Sequence, residues 1–247
     1  MASSKLMKVI YVALFLLYID AAISLSLVSS MVAFLHGRGG QPFEVRQDLN
    51  GSSFNLPGEP AHLLTDHGHT TNGAGGTGIV LVWFGGVLAL WLEHRSRAKY
   101  GKSSPFYYLW ALITILSWLL TLTALIYTFV LTNRHSNQRI LMSLAASYSP
   151  RPYPWESWTP ENWYTEVNKL PLVHAGDHDT LRKKLRLMRG WRYNLIPFMI
   201  LGFILMALVV VELLRFRKSR SRKEEQQPFG QPYGAAVSKH ESAHLVA

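Results

Sequence analysis

Asp20 is the residue whose position most clearly invites chemistry, because it is the only charged residue in the apolar run from Val9 to Leu35. Ionisable groups inside membrane spans are rare and commonly mark ion paths or polar contacts between helices. Counting eleven residues from Val9 places Asp20 roughly 16 Å into the span, near the midplane. Asp20 is therefore the first candidate site.

Hydroxyl-bearing residues in a later apolar run, Phe106 to Leu131, offer partners for Asp20. Thr114, Ser117 and Thr121 recur every three or four residues, so they share one helical face of the kind that helix contacts in lipid use. Ser117 follows Phe106 by eleven residues, which matches the depth of Asp20. We expect Asp20 to bond to one of these three residues. Two roles stay open, a neutral carboxyl that joins helices and a proton or cation relay.

Three histidines and an aspartate crowd the segment HLLTDHGHT at residues 62–70. His62, His67 and His69 are side chains of a type that binds zinc or copper. The glycine-rich surroundings provide no rigid frame, which favours a solvated polar loop over a metal site. These histidines are therefore weak metal candidates, and no cofactor is predicted.

The sequence contains no cysteine, which excludes disulfides, thiolate metal sites and cysteine nucleophiles. It also lacks the motifs of hydrolases, P-loop proteins, kinases and Rossmann enzymes. We therefore expect a protein that is not an enzyme.

Four long runs with almost no charge hold these residues, and they predict transmembrane helices. Charged residues are 16% of the chain, against about 25% in soluble domains. The predicted fold is all-α, a polytopic membrane protein with four transmembrane helices and short interfacial helices in the third loop. The predicted spans are 9–35, 77–92, 106–131 and 193–214. Between them lie an outer loop at 36–76, a cytosolic loop at 93–105 and an outer loop at 132–192. The flanks are a cytosolic N-terminus at 1–8 and a cytosolic tail at 215–247, basic and then disordered.

Basic residues beside the spans set this orientation, since they favour the cytosolic side. The formal net charge is +10, and its clustering beside apolar runs indicates the lipid bilayer as partner and argues against nucleic acid. The residues expected to contact lipid head groups are Arg215, Arg217, Lys218, Arg220, Arg222 and Lys223. The sequon at Asn50 is a glycosylation candidate and supports an outer position for the loop 36–76. Six basic residues within 181–192 disagree, although long loops follow the rule less strictly.

The outer loop 132–192 contains two amphipathic segments. Thr159 and Pro160 are predicted to cap and begin a short helix. Its neighbourhood is rich in aromatic residues that favour the membrane interface, namely Trp155, Trp158, Trp163 and Tyr164. We expect this helix to lie on the outer leaflet, with a docking surface for a partner as the alternative. A second helix after Gly176 combines an apolar stripe with many cations, which also indicates an interfacial position.

Four spans with cytosolic termini and a longer second outer loop resemble claudin-like, tetraspanin-like and fungal cortical membrane proteins. Those families place cysteines in their outer loops, and this chain has none. The segment WTPENWY…LPL, followed by LMRGWRYNLIP, is similar to uncharacterised four-span integral membrane proteins of filamentous fungi. That resemblance implies no activity.

The expected function is that of a non-enzymatic membrane organiser or partner-binding tetraspan protein, which binds another membrane protein or a second copy of itself. The alternative is a small transporter or channel subunit that uses Asp20. The long first and third spans favour the plasma membrane over the endoplasmic reticulum.

Overall fold

The computed structural model describes residues 2–48 and 52–225, with side chains for 5–48 and 52–222. It is 76% helical with little strand, and four helices are long and apolar enough to cross a membrane. These helices are Lys5–Gly39, Asp66–Tyr100, Pro105–Arg134 and Ala175–Arg222. The predicted all-α, four-span fold is thereby confirmed, and the chain is a multi-pass membrane protein. The glycosylation candidate Asn50, the side chain of Lys223 and most of the tail predicted to be disordered lie outside the described residues.

The elements follow the chain in a simple order. Helix α1 spans Ala2–Phe34 and continues into a π-helical turn, Leu35–Gly39. Strands β1 (Phe43–Arg46) and β2 (Ser53–Leu56) come next. The second span combines α2 (Asp66–Thr77), a π-helical stretch (Gly78–Phe84) and α3 (Gly85–Tyr100). Then come α4 (Pro105–Arg134), α5 (Met142–Tyr148), α6 (Pro160–Val167) and α7 (Ala175–Glu225).

The four long helices form a ring in which α7 packs between α1 and α4, and the second span closes the other side. The third span is anchored to the second by the Trp110 indole, which donates to the carbonyl oxygen of Val82 over 2.9 Å. Gly86 permits this close packing, because a Cβ there would lie 2.8 Å from the Trp110 ring and 2.9 Å from Leu14. The ring therefore leaves α1 and α4 diagonally opposite.

Helices α1 and α7 extend far beyond the lipid-facing part of the bundle on the outer side. Large exposed apolar side chains run from Val9 to Ile23 on α1, with Val32 isolated beyond them, and from Tyr193 to Leu214 on α7. Outside this belt, the 18 residues 175–192 of α7 rise roughly 27 Å. The two helices thus form a stalk that carries the outer loops.

The two loops predicted to be outer fold together around that stalk into one domain, called the outer domain. Strands β1 and β2 pair antiparallel, with Phe43 opposite Leu56, and Val45 also bridges to Leu172 of the second outer loop. Phe43 and Val45 point inward while Glu44 does not, the alternation expected of a strand with one buried face. Trp158, Trp163, Tyr164 and residues of α1 and α7 complete this core.

Two helices extend beyond the spans that the sequence predicts, and they do so for a common reason. The helix that contains the second span begins at Asp66, eleven residues before the predicted start of the span at 77, and the small residues of α2 pack against α1 outside the lipid belt. At Gly75, for example, a Cβ would lie 2.9 Å from Leu25. The apolar run 9–35 likewise exceeds the lipid belt, since its outer third enters the protein core through Val28, Met31 and Phe34.

The described part of the loop 132–192 does contain helices, but they do not have the interfacial position that the sequence predicts. The segment after Gly176 is the first part of α7, and its apolar stripe of Leu181, Leu185 and Met188 is buried in the outer domain. Protein core, and not lipid, covers the stripe. The first of the two predicted helices, α6, does begin as predicted: Thr159 accepts a hydrogen bond from the Asn162 main chain, and Pro160 is its first residue.

Candidate ligand-binding site

Asp20 contacts α7, and not α4 as predicted. The Asn194 Nδ2 donates to the Asp20 main-chain oxygen over 3.4 Å. Thr114 and Thr121 instead donate to carbonyl oxygens one turn back on α4, over 2.9 and 3.0 Å. The prediction failed because α7 stands between α1 and α4, which sequence spacing cannot reveal.

Asp20 also lies nearer the outer surface than the midplane. It precedes Ile23, the last residue of the exposed apolar belt on α1, by only three positions, whereas Val9 at the inner end is eleven away. Its partner Asn194 is adjacent to Tyr193, where the belt on α7 begins. The middle of the apolar run is therefore not the middle of the membrane.

The hydroxyl-bearing face predicted for α4, called the hydroxyl seam, lies at the centre of the bundle. Thr114, Ser117 and Thr121 are all buried, and they border a void of about 10 Å³ together with Leu17 and Phe198. A space of this size holds about one water molecule. The seam is therefore a packing surface between helices.

Outward from Asp20, several buried polar atoms have no hydrogen-bond partner among the described residues. They are the Asp20 Oδ2, the Ser24 Oγ, the His67 Nδ1 and the Trp191 Nε1. Ser24 lies one turn outward of Asp20 on the same face of α1, and the His67 ring centroid is 5.4 Å from that of Trp191. Buried polar groups are normally satisfied, so these unpartnered atoms on α1, α2 and α7 are unusual.

A cavity of about 620 Å³ lies next to His67, between the outer part of α1 and the first turns of α2. Its volume falls within the range of small-ligand sites, roughly 300–1,000 Å³. Its apolar wall contains Val28, Met31, Val32, Leu35 and Leu63, and its polar wall contains Glu59, Thr65, His67, His69 and Asn72. The described residues therefore include an amphipathic site just outside the lipid belt.

Of the three candidate metal ligands, two line the cavity and one does not. His67 and His69 lie on α2 and line the cavity, while the exposed His62 precedes the helix. The predicted solvated loop is therefore wrong for His67, which is 2% exposed. Within residues 2–48 and 52–225, no three His, Asp or Glu side chains are placed to hold a metal ion.

The aromatic residues predicted for the membrane interface divide into two groups. Trp158, Trp163 and Tyr164 are fully buried in the outer domain, so an interfacial role is wrong for them. The Trp163 indole, for example, donates to the carbonyl oxygen of Gly58 over 2.7 Å. Trp155 is 58% exposed. Sequence alone could not separate the two groups, because burial depends on contacts with the distant first outer loop.

A buried ion network closes the end of the bundle opposite the outer domain, and sequence reasoning missed it. Arg97 lies 2.6 Å from Glu93 and 2.5 Å from Glu212, and both carboxylates are almost fully buried. Glu93 also accepts a hydrogen bond from the Ser104 main chain over 2.6 Å. The spacing of Glu93 and Arg97 by four residues was the available signal. Beyond this network the predicted head-group contacts are exposed on α7, namely Arg215, Arg217, Lys218, Arg220 and Arg222.

Comparison with protein-family models, with curated proteins and with solved structures finds no match to this chain. The surfaces that could bind a partner or ligand are therefore identified by geometry: the cavity between α1 and α2, and the outer domain around Trp155.

Proposed function

We propose that this chain is a non-enzymatic tetraspan membrane protein that binds a partner protein through its outer domain. The observation that carries the proposal is the unbroken passage of α1 and α7 from the bundle into the outer-domain core. A surface fixed in this way loses little conformational entropy on binding, which favours recognition.

The stalk is held at both ends of the outer domain. Arg38 at its top forms an ion pair with Asp177 over 2.6 Å, and Lys184 donates to the Ser30 hydroxyl over 3.3 Å. The domain also rests on the third span, since the Asn162 side chain donates to the Thr132 carbonyl oxygen at the end of α4 over 2.8 Å. These contacts support a rigid recognition unit over a mobile loop.

Trp155 is the best candidate for the centre of the binding surface. Its carbonyl oxygen accepts a hydrogen bond from the buried Trp158 indole over 2.9 Å, which fixes the main chain while the side chain faces outward. The next residue, Glu156, has φ of +62°, a conformation uncommon for a residue other than glycine. Such backbone strain concentrates at functional sites, and exposed tryptophans often dominate binding energies.

The transporter alternative has less support. Asp20 is paired with Asn194 near the outer surface, and the void beside the hydroxyl seam has room for about one water molecule. A transport path would need further polar groups at depth.

The test is site-specific photo-cross-linking of the full chain in its native membrane. A benzophenone amino acid replaces Trp155, and the matched control replaces Ile126, which is similarly exposed at 54% within the lipid belt. We expect one discrete protein adduct from position 155. An adduct of twice the chain's 28.0 kDa identifies a second copy, and another mass identifies a different partner.

The same complex is then measured by native electrophoresis with the Trp155→Ser variant. We expect the complex to be lost while the variant remains folded. If positions 155 and 126 give equal adducts, and Trp155→Ser leaves the size of the complex unchanged, the outer domain is not the partner-binding surface.

A further inference from the structure

We propose that the cavity between α1 and α2 binds a single lipid of the outer leaflet that carries an uncharged, hydroxyl-bearing head group. Trp155, the centre of the proposed partner-binding surface, is not among the residues that line this cavity. The proposal rests on the position of the cavity and on the chemistry of its two walls.

The inner end of the cavity lies at the level of the lipid head groups. Val28 marks this end, and it follows Ile23, the end of the exposed apolar belt, by five residues or roughly 7 Å of helix. The polar layer of a bilayer is of similar thickness, about 5–7 Å on each side. A lipid can therefore enter the cavity by moving outward within its own leaflet.

The wall formed by α1 suits the hydrocarbon part of such a lipid. Val28 and Met31 form its buried base, and Val32 is 44% exposed along the opening. Val32 is also the only large apolar side chain of α1 described as exposed outward of Ile23. Covering this apolar surface removes it from water, which favours binding.

The opposite wall suits an uncharged hydroxyl group. Of the described residues that line the cavity, none is a lysine or an arginine, the side chains that normally hold phosphate. Glu59 adds a carboxylate, which would repel an anionic head group. A hydroxyl both donates and accepts, so it matches the carboxylate, imidazole, amide and hydroxyl groups present. It can also be buried without the cost of removing a charge from water.

Two polar side chains on this wall each lack a hydrogen bond among the described residues. His67 is 2% exposed, lines the cavity, and has no hydrogen-bond partner at Nδ1 among the described residues. Thr65 stands at the N-cap of α2, yet its side chain makes no capping hydrogen bond. Gly68 lies on the same wall, between His67 and Asn72 in the sequence. The space beside it is open, because a Cβ there would meet nothing within 4 Å.

The experiment uses the full chain in phosphatidylcholine nanodiscs with photoreactive, alkyne-tagged lipids. The uncharged probes are a sterol and a ceramide, and the charged comparator is phosphatidylserine with the same tag. We expect at least one uncharged probe to label peptides from 28–36 or 65–72 at least fivefold more than phosphatidylserine does. Excess untagged lipid of the same kind should displace that label.

Val32→Trp fills the cavity and should lower the labelling at least fivefold. Ile23→Trp is the matched control, since Ile23 lies on the same helix with nearly the same exposure, 45%, but outside the cavity. Thr65→Val keeps the shape of the side chain and removes its hydroxyl group, so it should weaken the labelling. It provides a second test if Val32→Trp does not fold.

Equal labelling by phosphatidylserine, labelling that neither variant reduces, or the absence of label in both segments would each overturn the proposal. A benzophenone at position 32 that cross-links to a second copy instead of lipid would overturn it as well, since the groove would then be a protein interface.

Discussion

The side-chain amide of Asn194 on α7 donates to the main-chain oxygen of Asp20 on α1 over 3.4 Å. This contact joins the first and last spans at the outer end of the lipid belt. Further out, the same two helices are joined by Lys184 with Ser30 and by Arg38 with Asp177. Asp20 is thus the innermost of three polar contacts along one helix pair, which supports a structural role for this residue.

The first prediction concerns this contact. Asn194→Leu should lower the free energy of unfolding by about 1 kcal/mol, the usual size of a polar contact between membrane helices. Asp20→Asn should cost less, because it keeps the main-chain oxygen to which Asn194 donates. Thermal unfolding of the full chain in detergent micelles measures both effects.

Thr123→Val is the matched control for these variants. Thr123 is exposed, and its hydroxyl bonds only to its own helix at Leu119, so its loss should change stability little. If Asp20→Asn leaves stability intact but abolishes proton or cation flux in liposomes, the result supports the relay role instead.

The second prediction concerns the buried ion network opposite the outer domain. Arg97→Met should destabilise the bundle by about 3–5 kcal/mol, because it leaves the buried carboxylates of Glu93 and Glu212 without their cation. Arg95→Met is the matched control, since the exposed Arg95 contacts only the Trp91 ring at 5.8 Å in the described structure. Its effect should stay within about 0.5 kcal/mol. Chemical denaturation in mixed micelles compares the two.

A triple variant separates charge from packing at the same site. Glu93→Gln and Glu212→Gln, added to Arg97→Met, remove the uncompensated charges and should recover most of the lost stability. If the triple variant is no more stable than Arg97→Met alone, packing of the arginine side chain explains the loss.

Much of the fold follows from the sequence because lipid imposes a simple rule on length and polarity. That rule located four spans, and cap preferences located the start of α6 at Thr159. The rule does not show where α1 and α2 leave the lipid and enter the outer domain. Val28, Met31 and Phe34 are apolar because they enter a protein core, which a hydropathy pattern cannot distinguish from lipid.

The candidate site was only half visible in the sequence. Asp20, His67 and His69 stood out by residue type, but the groups around them come from distant segments. Asn194 is 174 positions from Asp20, and the cavity gains Glu59 and Leu63 from the first outer loop. Such pairings depend on helix order and loop packing, which local periodicity does not encode.

The third prediction separates the aromatic residues of the outer domain by role. Trp163→Ala should destabilise the domain by about 3–5 kcal/mol, because Trp163 is fully buried and packs against Trp158 with ring centroids 5.3 Å apart. Trp155→Ala should change stability by less than about 0.5 kcal/mol, since its side chain is exposed. Limited proteolysis of the outer domain measures both. Equal destabilisation by the two variants would mean that Trp155 serves the core and not a binding surface.

The fourth prediction concerns Glu161 on α6, which lies 3.2 Å from Arg192 and 3.6 Å from Arg189. Burial raises the pKa of the Glu161 carboxyl group above its ordinary value, although the two arginines oppose this effect. The folded protein therefore holds this proton more tightly than the unfolded chain does. The resulting stability is fully present below the ordinary pKa and is lost as the pH rises through the raised one.

Glu161→Gln mimics the protonated carboxyl group and should remove this dependence. The melting temperature of the variant minus that of the wild-type protein should become more positive between about pH 4 and about pH 7. Asp179→Asn, which changes an exposed carboxylate on α7, is the control and should show a smaller trend. Differential scanning fluorimetry of both variants across this range provides the comparison. A difference that becomes more negative with rising pH would mean that the ion pair with Arg192 outweighs burial at this site.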